Sequence, residues 1–83
     1  MKMPKMRWRK SKAEPDVWYY ATVGKNKVEF GKIWKRPNET EYRYDYSRGI
    51  QQFTSAFPAS LSMCKKIVAR HVKWMFDDME DTP

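Results

Sequence analysis

Hydrophobic and polar positions divide the chain into a basic start without pattern, three stretches of strand character and one long stretch of helical period. The helical stretch, Pro58 to Met79, reads PASLSMCKKIVARHVKWMFDDM. At about 100° per residue, Leu61, Cys64, Val68, Val72, Met75 and Met79 fall on one side of it. Lys66, Arg70 and Lys73 fall opposite, and Trp74 lies off the apolar centre. Pro58 suits a first helical turn, and Ser60 is an alternative cap. Asp77, Asp78, Glu80 and Asp81 sit badly against the negative end of the helix dipole. The helix is therefore expected to fray between Phe76 and Met79 and to leave an acidic tail, residues 80–83.

The strands precede it. Val17 to Val23, VWYYATV, is β-branched and aromatic, with large rings on both faces. Gly24-Lys25-Asn26-Lys27 follows as a hairpin turn, with Gly and Asn suited to positive φ. Val28 to Lys35 alternates less cleanly. Gly31 marks a bulge or a close approach, and a bulge would let Val28, Phe30 and Ile33 share one core. After a turn at Arg36 to Thr40, Glu41 to Ser47 alternates strictly. Tyr42, Tyr44 and Tyr46 face inward, while Glu41, Arg43 and Asp45 face out toward Lys32 or Lys35. Arg48-Gly49 turns the chain again, and Ile50 to Phe53 is a candidate for a short extended piece. The predicted fold class is α+β: a three-stranded antiparallel sheet followed by one C-terminal amphipathic helix, β-β-β-α. Residues 1–15 are expected to form a basic arm and residues 16–79 the single domain.

Composition narrows the function classes. At 83 residues the chain has room for one small core, helped by 16% aromatic residues that outweigh a mean hydropathy of -0.91. Cys64 is the one cysteine, which excludes an intrachain disulfide and a cysteine-based zinc site and favours a reducing, cytoplasmic setting. No apolar run approaches the roughly 18 residues that span a membrane, and no apolar h-region follows the basic N-terminus. No cofactor or metal motif appears. His71 and Cys64 lie seven positions apart, about 10 Å along a helix, too far for a nucleophile–base pair. A non-enzymatic role is expected.

Charge supplies the remaining candidate. Lysine and arginine number 17 against 10 acids, a net charge of +7. Six of the cations lie within residues 1–12, which contain no acid. Such a balance draws polyanions, nucleic acid first. The candidate nucleic-acid-binding residues are Lys5, Arg7, Trp8, Arg9 and Lys10 of the arm, Lys25 and Lys27 of the turn, and Lys66, Arg70 and Lys73 of the helix. Trp8, between two arginines, could stack on a base while the guanidinium groups take phosphates; it could equally close over the core or add an edge strand. Trp74 is the candidate partner-binding anchor.

The strands VWYYATV, VEFGKIWK and EYRYDYS, followed by FTSAFPASLSMCKKIVARHV, resemble in layout the three-stranded-sheet-plus-helix DNA-binding domains of phage and transposon integrases. That resemblance covers residues 17–76 and implies a sheet laid in the major groove. The third strand's tyrosines depart from it, since a groove-reading sheet favours Arg, Lys and Asn. The β-β-β-α order with Lys65-Lys66 is also similar to the end of double-stranded-RNA-binding domains. The size, basicity and Trp/Met content resemble small phage-encoded proteins that bind host machinery. The expectation is a non-catalytic nucleic-acid-binding module, duplex DNA preferred, with little sequence specificity. The alternatives are a protein-interaction module that meets an acidic protein surface through Trp74, and a homodimeric structural or assembly protein.

Overall fold

The fold is seen in a computed structural model that describes residues 3–48 and 50–80. Gly49 of the third turn and the tail beyond Glu80 lie outside the described residues, as do the side chains of Met79 and Glu80. The architecture is α+β, with a single antiparallel sheet and one C-terminal helix. The sheet has five strands, not three. In chain order they are β1 (Met6–Lys10), β2 (Trp18–Thr22), β3 (Glu29–Trp34), β4 (Arg43–Arg48) and β5 (Gln51–Thr54), and each pairs with the next. Helix α1 (Leu61–Glu80) lies across β3 and β4.

The two extra strands flank the three expected ones. β1 comes from the basic segment expected to be an arm. Met6 and Trp8 turn toward the helix side and pack against the core, while Arg7 and Arg9 turn to solvent. Trp8 is the register partner of Tyr20, with ring centroids 4.7 Å apart. An edge strand needs only one apolar face, so a charged opposite face is no obstacle to pairing. β5 realises the short extended piece before the helix, with Phe53 opposite Tyr46.

Gly31 does both things expected of it. The β2–β3 register shifts there: Tyr20 faces Gly31, Ala21 faces Glu29, and Phe30 is the extra residue. The bulge turns Phe30 onto Phe76 of α1, with ring centroids 5.4 Å apart. Ile33 is fully buried, whereas Val28, expected beside it, is exposed. The close approach is to Val68, whose Cγ1 would overlap any Cβ at position 31.

The helix starts at Leu61 rather than Pro58, because Ser60 caps it: its Oγ accepts from the Met63 N–H at 3.2 Å. At the other end it continues to Glu80, past the expected fray. Phe76 is buried in the core, together with Cys64, Val68, Val72 and Met75. That burial outweighs the unfavourable dipole, an effect of about 0.3–1 kcal/mol at an exposed terminus. No described helix is long and apolar enough to cross a membrane.

Candidate nucleic-acid interface

The sheet has one face under α1 and one open face, and strand alternation decides which cations stand on which. On β1, Arg7 and Arg9 point to the open face. The β2–β3 hairpin swings beside them. Gly24 takes φ 126°, which glycine adopts without a Cβ clash, and Thr22 Oγ1 accepts from the Val28 N–H at 2.9 Å to close the loop. This brings Lys27 alongside β1, so that Arg7, Arg9 and Lys27 line one hollow with Gly24. A wider groove of about 400 Å³ continues from it, lined by Arg9, Lys12, Lys27, Tyr19 and Glu29 among others. Lys5 and Lys25 are exposed at the ends of the same strand and turn. Among the described residues, no ion pair engages Arg7, Arg9, Lys12 or Lys27.

The other predicted contacts, Lys10 apart, are not brought together with these. Trp8 packs at a tilt against Tyr20 under the helix side and does not reach the open face. Lys10 also lines the wider groove beside Arg9 and Lys12, while its Nζ lies 5.9 Å from the centre of the Trp18 ring. Lys65 of α1 sits 4.0 Å from that ring, so two cations from different elements hold one indole. Lys66, Arg70 and Lys73 are exposed on α1, and Lys73 pairs with Asp77 at 3.6 Å. Cys64, Val68, Val72 and Met75 of the same helix are buried on its sheet side. The open-face cations and the helix cations therefore look out in opposite directions.

Three features escaped the sequence reading. Tyr19 and Trp34 are the aromatics of the open face; Lys32, opposite Asp45 in register, leans over Tyr19 at 5.8 Å. Among the described residues, the buried Oδ1 of Asp45 has no hydrogen-bond partner. It shares a hollow of about 140 Å³ with Tyr19, Lys32, Ser47 and Gln52. On the helix side, Phe53, Tyr46, His71 and Trp74 form a run of ring contacts at 5.2, 4.5 and 5.1 Å. Strict alternation could have flagged Tyr46, but nothing local marked Phe53 as its partner.

The two groups with nucleophilic or basic chemistry are separately occupied. Cys64 is fully buried and its Sγ lies within donating distance of the Tyr42 carbonyl, 3.5 Å away; burial pushes its thiol up. His71 stacks flat on Tyr46, and burial, then Arg48 and Arg70, holds its imidazole below the usual value. No cluster of metal-ligating side chains occurs among the described residues. No protein-family model matches the chain, and neither curated proteins nor solved structures gave a match.

Proposed function

We propose that the chain is a non-catalytic nucleic-acid-binding module with little sequence specificity, duplex DNA preferred. The observation that supports this best is the cluster of Arg7, Arg9, Lys12 and Lys27 around two adjoining hollows, with none of the four in an ion pair among the described residues and Glu29 the one acid beside them. Like charges held side by side on a strand and a turn repel one another, and polyanion binding relieves that cost by counterion release. Lys5 and Lys25 extend the same row. Lys66, Arg70 and Lys73 belong to the opposite side and fall outside this contact. Tyr19 and Trp34 take the stacking or wedging role that the sequence offered to Trp8. Contacts of this kind go to phosphates, which position a protein without reading bases.

The test is a binding titration of fluorescent duplex DNA, single-stranded DNA and RNA at 50 and 200 mM salt. Four to six phosphate contacts correspond to a log–log salt slope of roughly −4 to −5 on duplex. Replacing Arg7, Arg9 and Lys27 together by alanine should flatten that slope by about 3. The Lys66/Arg70/Lys73 alanine variant should keep it. Binding that ignores salt, or no binding at low micromolar protein in 50 mM salt, sinks the proposal.

A further inference from the structure

The two free edges of the sheet are protected very differently. β1 carries Arg7, Arg9 and Lys10, the charged guard that keeps an edge from pairing with foreign strands. β5 is Gln51-Gln52-Phe53-Thr54, with no charge, proline or bulge. The Ser55 N–H donates to the Tyr44 carbonyl at 2.8 Å, so by antiparallel alternation Phe53 and Gln51 bond to β4. Gln52 and Thr54 then turn their backbone N–H and C=O groups outward, as a template for another strand.

Beside that template lies the aromatic run. Phe53 and Trp74 are 38% and 46% exposed, and Tyr46 and His71 bridge them into one surface from the edge strand to the flank of α1. Met63 and Ile67 continue this flank at helical spacing, and Met63 is 48% exposed. Ile50 and Phe57, exposed just before and just after β5, add apolar surface at its ends. A strand added at the usual spacing of about 4.8 Å would place alternate side chains against Phe53 and Trp74. Charge selects what that strand carries. Arg70 is exposed beside His71 and in no ion pair among the described residues, Arg48 is already held by Asp78 at 2.6 Å, and the chain's net charge is +7. A second copy carries the same net charge of +7 and would be repelled as a whole, whereas an acidic strand would be drawn to Arg70.

We propose that β5 is a docking edge for an extended segment of a partner protein. The segment pairs with Gln51–Thr54 as a sixth strand, lays apolar side chains on the Phe53–Tyr46–His71–Trp74 surface, and offers a carboxylate to Arg70. This surface is on the other side of the sheet from the Arg7/Arg9/Lys27 groove, so the inference stands without the nucleic-acid reading. A four-residue edge with one aromatic platform is a small interface, suited to transient binding.

The experiment uses the full chain, isotopically labelled, and two synthetic ten-residue peptides. One alternates glutamate with valine or phenylalanine, and the other replaces each glutamate by lysine. The acidic peptide should shift the amide signals of Gln52 and Thr54 and the indole signal of Trp74, with saturation at tens to hundreds of micromolar. The lysine peptide should bind at least ten-fold more weakly. Thr54→Pro removes only an outward N–H and should weaken the acidic peptide at least ten-fold with the far-ultraviolet circular dichroism unchanged. Arg7→Ala with Arg9→Ala should change nothing here. Equal binding of both peptides, or shifts that spare Gln52 and Thr54, overturns the proposal. So does sedimentation showing that the chain dimerises through the same amides at the concentrations used, because a second copy would then be the occupant.

Discussion

At the scale of the residue, the tightest constraint is Gly31. Its missing Cβ makes room for Val68 Cγ1, and Val68 is fully buried on a helix where its χ1 has one good setting. Gly31→Ala should therefore cost about 1–3 kcal/mol by overpacking, read from urea midpoints at constant m. Val68→Ala removes the obstructing methyls, so the double variant should be less destabilised than the sum of the single ones. Strict additivity would show that the two positions do not meet. His71 gives a second test. Its imidazole is held below the ordinary value of about 6.5 by burial, then by Arg48 and Arg70, so the folded state resists its protonation. The contribution is complete above that ordinary value and is lost as pH falls from there through the lower folded value. Wild type should lose stability between pH 7.5 and 5.5, and His71→Phe, which keeps a flat ring on Tyr46, should lose less. An identical loss in the two proteins would remove His71 from the account.

At the scale of the element, β1 is where folding and binding meet. Trp8 on Tyr20 and Lys10 on Trp18 hold it to the rest of the sheet, while Arg7 and Arg9 face the other way. Trp8→Ala should destabilise the whole domain by roughly 1–3 kcal/mol, since the indole is packed but partly exposed. An unstructured arm would show no such loss, so an unchanged urea midpoint would argue that β1 is not part of the cooperative unit. The same strand shows what the sequence could and could not convey. α1 and the strict tyrosine alternation of β4 were legible because burial wrote a period into them. In Met6-Arg7-Trp8-Arg9-Lys10 the period is present, but three of five positions are charged, and only pairing with β2 explains why the other two are apolar. β5 has no period at all: its existence rests on Tyr46 offering Phe53 a partner, a tertiary fact. The candidate cations could likewise be named from the sequence, but the face each occupies depends on register, which turned Arg7 and Arg9 away from Trp8.

At the scale of the whole molecule, that separation turns a single excess of charge into two surfaces with different surroundings. On the helix side, acids moderate the cations: Arg48 meets Asp78 at 2.6 Å and Lys73 meets Asp77 at 3.6 Å. Elsewhere Lys35 meets Asp16 at 3.5 Å, and Arg43 and Arg36 share Glu39. Among the described residues around the open-face groove, Glu29 is the one acid lining the wall, against Arg9, Lys10, Lys12 and Lys27. Screening should therefore act most where the cations lack partners. The Debye length falls from about 30 Å at 0.01 M salt to about 10 Å at 0.1 M, that is, to about two strand spacings. The thermal midpoint should rise over that range, and rise further when sulfate replaces chloride at equal ionic strength. Replacing Arg7 and Arg9 by glutamine should remove most of the rise, because the groove's repulsion is lost with them. Replacing Lys66 and Arg70 by glutamine should leave it largely intact. If both pairs flatten the salt response equally, the excess charge acts as a diffuse cloud over the surface, and the groove has no electrostatic character of its own with which to favour a polyanion.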